Sequence, residues 1–165
     1  MSILSKHPEV QTGLPAADEK DTAFESRIIR DGAAYWDRLR GERPYPLRRD
    51  VDPLTMPRHL LPYVLLIDII STNPPDFRWR LIGTHVTGVM GRDSTGRVWS
   101  ELYSEEHFET LTIGPRTALT TGQPCRTVAG APDNERNFIT LESIDLPLST
   151  DGVAIDMLLA FSHWQ

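Results

Sequence analysis

The stretch DFRWRLIGTHVTGVMGRDSTG, residues 76–96, changes its periodicity halfway along. Over FRWRLI, Phe77, Trp79 and Leu81 alternate with Arg78, Arg80 and Ile82, the period of two of a β-strand, whose successive side chains point to opposite faces. After Gly83, Thr84 can cap a short apolar helix over His85 to Met90, which Gly91 ends. Just upstream, YVLLIDII at 63–70 is short, β-branched and almost wholly apolar, as suits a strand covered on both faces. STNPPD then turns the chain. A hairpin that runs into short helices is therefore expected.

Toward the C-terminus, RDSTGRVWSEL makes a turn and a second short helical piece. Ser104, Glu105 and Glu106 open a longer helix with acids in its first turn, where they complement the macrodipole. Phe108, Leu111, Ala118 and Leu119 supply its buried stripe, Gly122 and Pro124 end it, and Gly114-Pro115 should kink it. Three strands follow: CRTVAG from Cys125, the turn APDNER, NFITLESIDLPL at 137–148, the turn STDG, and VAIDMLLAFSHW at 153–164. In the second, apolar parity moves from Ile139 and Leu141 to Ile144, Leu146 and Leu148, which predicts a bulge near Glu142 and Ser143. In the third, Val153, Ile155, Met157, Leu159 and Phe161 share a face.

Toward the N-terminus, residues 1–21 are polar and aperiodic with Pro8, Gly13 and Pro15, and are expected to be a disordered tail. Residues 22–41 read as an amphipathic helix capped by Asp21 or Thr22 and stopped by Gly41, with Phe24, Ile28, Tyr35 and Leu39 on one face and Ile29, Ala33 and Trp36 beside it. So broad a stripe must pack on the domain or on another copy, and Phe24, Ile28, Trp36 and Leu39 are the expected dimer contacts. Residues 42–62, with Pro44, Pro46, Pro53, Pro57 and Pro62, form an ordered linker with one helical turn at Met56 to Leu61. Residues 63–165 are the main domain.

A hydrophobic fraction of 39% in 165 residues supports one such domain plus an appendage. No apolar run approaches the roughly 18 residues of a membrane span, and the start lacks a secretory signal pattern, so a soluble, cytoplasmic protein is expected. The one cysteine, Cys125, excludes an internal disulfide and reads as a small buried hydrophobe. A net charge of −6 disfavours nucleic acid. The arginines of RLRGERPYPLRRD (Arg38, Arg40, Arg43, Arg48, Arg49) read as a solvated face paired with Asp37, Glu42, Asp50 and Asp52.

Three stretches together, YWDRLRGERPYPLRRDVDPLTMPRHLLPYVLLIDI, DFRWRLIGTHVTGVMGRDSTGR and LPLSTDG, resemble a bacterial family of stand-alone PAS proteins over about residues 33–160. The pattern is an aromatic-Trp helix, Arg-Asp-x-Asp-Pro, a leucine-proline pair entering the first strand, Phe-Arg-x-Arg-Leu-x-Gly-Thr and Gly-Arg-Asp-x-Thr-Gly. The resemblance implies an α+β fold with a five-stranded antiparallel sheet, helices over one face, and a signalling or regulatory role. In that fold Phe77, Trp79 and Leu81 on the sheet, with Val86, Val89, Met90, Trp99, Phe108 and Leu111 from the helices, would wall a central cavity, apolar with few polar anchors as ligand sites are. A packed core is the competing reading, and buried Trp79 and Trp99 would each need an indole N–H partner in either case.

Arg80 alternates away from Trp79, so it is expected on the outer face as a structural partner of Asp50, Asp52 or Glu142, with an anion-binding role for Arg78 or Arg80 as the contrary reading. His85 and His107 are the haem candidates, at spacings that are not diagnostic, and GTHVTGVMG lacks the cysteine of the flavin-binding Asn-Cys-Arg-Phe pattern, so both cofactors are disfavoured. Glu106, His107 and Glu109, from the stretch SEEHFE, are near neighbours on a helix and are not expected to converge on a metal. No nucleophile elbow, phosphate loop, zinc-helix motif or dinucleotide fingerprint occurs. The expected function is therefore a sensory module that binds a small ligand or a partner protein and signals through a homodimer or partner contacts. With no output segment after the last strand, the signal would leave through a surface. A ligand-free interaction adaptor is the alternative, and a small enzyme using the same cavity is the weaker one.

Overall fold

In the computed structural model, which describes residues 8–20, 23–133 and 137–165, the strands are β1 (Glu9–Thr12), β2 (Val64–Thr72), β3 (Pro75–Ile82), β4 (Cys125–Asp133), β5 (Asn137–Leu148) and β6 (Met157–Trp164). They form one sheet in the order β1-β4-β5-β6-β2-β3, and every neighbouring pair is antiparallel. The helices are α1 (Arg27–Arg40), α2 (Thr84–Met90), α3 (Trp99–Leu102), α4 (Glu105–Leu111) and α5 (Ile113–Thr121). The expected hairpin is β2 and β3. The expected α+β sheet gains a sixth strand, because Glu9–Thr12, placed in a disordered tail by their polarity, pair with the edge of β4 from Glu9↔Val128 to Thr12↔Cys125. Backbone pairing needs no apolar side chains, and all four residues of β1 are exposed.

Helices cover both faces of the sheet, where one covered face was expected. Against one face, α1 and the proline-rich linker bury Ile29, Trp36, Val51, Met56 and Leu60 on Leu66, Ile144, Leu146, Leu148, Leu159 and Phe161. Against the other, α2 to α5 meet Leu65, Ile67, Phe77, Trp79, Cys125, Leu158 and Ala160. This division removes the bulge expected near Glu142 and Ser143. The register of β5 runs unbroken from Asp133↔Asn137 to Cys125↔Asp145 on β4, and from Leu141↔Trp164 to Leu148↔Met157 on β6. Both faces of β5 are buried, so Leu141 belongs to one core and Ile144, Leu146 and Leu148 to the other, with no change of pleat. Register shifts lie instead in the β2–β3 hairpin, one between Ile69 and Ser71 and one where Leu66 pairs with Leu81 but Ile67 with Trp79. Arg80 is the extra residue, and it turns Leu81 off the Trp79 face.

Other boundaries move for local reasons. Ser26 caps α1, its Oγ accepting from the amide of Ile28 (3.2 Å); Asp21 and Thr22 lie outside the described residues. Gly41 ends α1 at φ 59° as expected. The linker's helical turn lies at Arg58–Tyr63. Gly83 occupies the N-cap of α2 in place of Thr84. The long helix with a kink is two helices meeting at Thr112, since Pro115 supplies no amide hydrogen to continue the ladder. Val153, 82% exposed, and Ile155 precede β6 rather than joining its buried face. β4 extends through Asp133, three residues into the stretch expected to turn; residues 134–136 of that turn are outside the described residues.

The broad stripe of α1 is used within the chain. Ile29 and Trp36 are fully buried, each burial contributing about 2 kcal/mol, and Trp36 Nε1 donates to the carbonyl of Pro147 (2.9 Å). Phe24, Ile28 and Leu39 pack against the same core. These four residues, expected as dimer contacts, therefore face the chain's own sheet, because an antiparallel sheet with an apolar outer face is satisfied most directly by the adjacent amphipathic helix. The N-terminus of α1 is pinned by charge as well. Fully buried Glu142 accepts from the Ser26 amide (2.8 Å) and from Arg126 Nε (3.0 Å), Arg126 also donates to Gln11 of β1 (3.2 Å), and Ser26 Oγ lies 2.7 Å from His163 Nδ1.

Arg78 and Arg80 both bind Asp68 of β2, at 3.0 and 3.2 Å. The partner of Arg80 is thus Asp68 rather than the expected Asp50, Asp52 or Glu142: strand pairing sets Asp68 opposite Arg78, and Arg80, two residues on, reaches the same carboxylate. Asp50 instead binds Arg43 (2.8 Å) and the Leu47 amide (2.9 Å), and Asp52 accepts from the Leu54 amide (2.9 Å).

Gly32 faces the ring of Phe161, where a Cβ would come within 2.5 Å of Cδ2. On an exposed helix, alanine would gain about 1 kcal/mol over glycine; here Gly32→Ala should instead destabilise the fold by about 1–3 kcal/mol, the cost of overpacking, measured as a lower urea midpoint.

Candidate functional site

Between the α2–α5 layer and the sheet lies a cavity of about 70 Å³. Its wall comes from every strand of the five-stranded core: Leu65 and Ile67 of β2, Trp79 of β3, Thr127 and Ala129 of β4, Leu141, Ser143 and Asp145 of β5, and Ser162 of β6. Trp99 of α3, Thr110 and Leu111 of α4, and Gly114 and Pro115 of α5 close the helical side, with Pro8 at its edge. Sheet register converges the polar groups. Ser143 stands opposite Ser162 on one side and Thr127 on the other, and the two serine hydroxyls lie 2.8 Å apart.

Asp145 stands between Cys125 and Ala160. It is 5% exposed, and among the described residues burial alone acts on its carboxyl, with no hydrogen bond to offset it. Burial without a compensating donor pushes its pKa up to about 7. Its space is made by Gly114: a Cβ there would collide with Asp145 Oδ2, so a bare backbone passes over the carboxyl. Burial, and then the carboxylate of Asp145, push the Cys125 thiol up to about 12. A thiol so buried and so weakly acidic is no nucleophile.

Two tryptophans form the aromatic part of the wall, their rings 4.5 Å apart, with Phe77 behind Trp99 at 5.2 Å. Trp79 Nε1 donates to the Tyr103 hydroxyl (2.9 Å). The indole N–H of Trp99 is buried and has no acceptor among the described residues. Two polar groups in this wall, the Asp145 carboxyl and the Trp99 indole N–H, thus lack partners among the described residues. Native interiors rarely leave such groups unmet.

Of the residues expected to wall the cavity, Trp79, Trp99 and Leu111 do so. Phe77 and Val86 are buried in the surrounding core, and Met90 and Phe108 pack against it. Leu81 and Val89 do not take part: Leu81 is turned outward by the β3 bulge and is 40% exposed, and Val89 lies on the solvent side of α2 at 48%. The polar set Thr127, Ser143, Asp145 and Ser162 escaped sequence reading. Its signal was the interrupted alternation of β5, where Ser143 and Asp145 occupy odd positions that continue from Leu141.

His85 lies outside this wall, its ring 4.5 Å from Tyr63 and 5.5 Å from His163, and its Nε2 accepts from the Trp164 amide (3.3 Å). His107 stacks on Tyr103 at 4.8 Å. Burial lowers the pKa of both. Glu109 is engaged by Arg116 (3.0 Å). Among the described residues, no helix is long and apolar enough to cross a membrane.

On the opposite face of the same two strands, the pair next to Ser143 and Ser162 is Glu142↔His163, the two residues that hold Ser26 at the start of α1. One step of the pleat therefore separates the polar floor of the cavity from the anchor of the outer helix.

A family model described as a PAS domain matches residues 25–160. No curated protein matches. Among solved structures, one of an RNA-binding Light-Oxygen-Voltage receptor aligns with 95% of this chain and 38% of its own, at 11% identity and a TM-score of 0.43. The chain thus spans well under half the length of that receptor.

The raised pKa of Asp145 has a signed consequence. In the unfolded chain the carboxyl titrates near pH 4 and in the native state near 7, so folding retains its proton between these values. The stability tied to this group is complete below about pH 4 and is lost as pH rises through 7. Asp145→Asn should therefore gain stability relative to the parent as pH rises from 4 to 8, by on the order of 3 kcal/mol, read from paired denaturation curves. Cys125 should react with a thiol reagent only on unfolding.

Proposed function

This chain belongs to the PAS domain family, and we propose that it is a sensory module whose stimulus is a small molecule held in the cavity between α3–α5 and the sheet. The observation that carries the reading is Asp145, a carboxyl buried in an aromatic-walled cavity without a hydrogen-bond partner among the described residues. A core built only for packing would place an apolar residue there, since a buried unpaired polar group costs about 1–3 kcal/mol. Retaining it makes sense when a ligand supplies the missing partner, which is how strained or unsatisfied positions come to mark function.

The signal leaves by a population shift in α1. A ligand that engages Ser143 or Ser162 acts on the residues next to Glu142 and His163, and these two carry the cap of α1. The helix then repacks on the sheet and alters the surface it shows to a partner protein or to a second copy. The role is sensory rather than catalytic.

Native mass spectrometry of the freshly purified protein, compared with its denatured mass, tests ligand binding. An excess mass that disappears on denaturation is expected. A bare mass, together with an unchanged melting midpoint in the small-molecule fraction of a cell extract, would overturn the ligand reading in favour of an adaptor with a filled core.

A further inference from the structure

Given that the cavity is a ligand site, the chemistry of its wall restricts what enters. Every described lining residue is apolar, aromatic, hydroxyl-bearing or acidic, and none of them is Lys, Arg or His. An anionic ligand would find the Trp99 indole N–H and the hydroxyls as donors, but it would sit against Asp145, a like charge, with no cation among the described lining residues to offset its desolvation. A ligand that donates hydrogen bonds and brings a positive charge meets a buried acceptor, and the paired indoles of Trp79 and Trp99 add a surface that attracts cations. Size restricts it further. The volume of about 70 Å³ is half of the roughly 150 Å³ that admits benzene, room for about three or four non-hydrogen atoms. Gly114 lets the bare backbone of α5 pass close over the carboxyl, where any larger residue would press on it.

We propose that the cavity binds the protonated head of a small organic amine or amidine, with the Asp145 carboxylate as the charged acceptor and the Trp79–Trp99 pair as the aromatic wall. Ser143, Ser162 and Thr127 supply the remaining hydrogen-bond acceptors for an ammonium, which has up to three N–H groups to place. The proposal rests on the cavity being a ligand site, and adds the charge and size of its occupant.

Ethylammonium and ethanol are of about the same size, each two carbons and one polar atom, and differ in charge and donors, so their comparison in the unaltered protein needs no variant. Thermal midpoint and tryptophan fluorescence are measured at pH 8 with each probe at millimolar concentration and with sodium chloride at matched ionic strength. The expected result is a raised midpoint and a fluorescence change with ethylammonium, weaker or absent with ethanol and absent with sodium chloride. Asp145→Asn, which preserves shape, should weaken ethylammonium by about tenfold or more, the loss of one charge-assisted hydrogen bond. Gly114→Ala, which presses a methyl group on the carboxyl, is the second variant and should do the same.

Ethanol binding as well as or better than ethylammonium, or ethylammonium binding unchanged in folded Asp145→Asn, would overturn the cationic assignment and leave the ligand site standing. Binding of neither probe would overturn the assignment, and the ligand site itself falls only if the purified protein also carries no excess mass.

Discussion

The unbroken pleat of β5 is the constraint on which the arrangement depends. With β4 paired to residues 137–145, β6 to residues 141–148 and helices against both faces, each residue where the pairings overlap points to one of two packed layers. Even positions Ile144, Leu146 and Leu148 go under α1. Odd positions Leu141, Ser143 and Asp145 go to the cavity. A slip of one residue would drive Asp145 into the aliphatic core and Leu146 into the cavity, so the polar floor and the packed core specify the register together. The two buried layers are thus not independent units.

That coupling gives the outer helix its place in the mechanism. α1 is attached at its start through groups projecting from β5 and β6: Glu142 on the Ser26 amide and His163 on the Ser26 hydroxyl. Further along it rests on Phe161 through Gly32, where the backbone itself makes the contact. Backbone-to-ring packing of this kind is close and unforgiving, while a hydrogen-bonded cap can open at a cost of about 1 kcal/mol. The helix is firm along its middle and adjustable at its N-terminal end, the end that lies one residue away from the cavity floor.

The electrostatics of the two faces differ in the same sense. On the α1 face, buried Glu142 is met by Arg126, which also reaches β1. At the hairpin, Asp68 is met by both Arg78 and Arg80. On the cavity face, Asp145 meets no cation among the described residues. Glu142 and Asp68 are thus neutralised by arginines where they serve structure, whereas the buried carboxyl that lines the cavity is left without one among the described residues.

Much of this was readable beforehand. The hairpin, the short helices after Gly83, the stop at Gly91 and the broad stripe of α1 follow from local periodicity and from turn residues, which act over a few positions and so are written in the sequence. The motifs around Arg78 and Gly91 likewise pointed to the PAS domain family, and three of the nine expected wall residues, Trp79, Trp99 and Leu111, line the cavity. What could not be read was which polar residues are buried, because an interior serine or aspartate looks the same in sequence as an exposed one. The odd positions of β5 were therefore explained by a bulge, and the true bulge at Arg80 passed unseen because FRWRLI alternates so cleanly. Strand β1 was invisible for a related reason, since backbone pairing at a sheet edge leaves no side-chain pattern. Sequence alone determined the order and type of most elements through local chemistry; only the tertiary structure decided the partner of Arg80, the face on which α1 lies and the burial of Asp145, because each depends on strands brought together from distant parts of the chain.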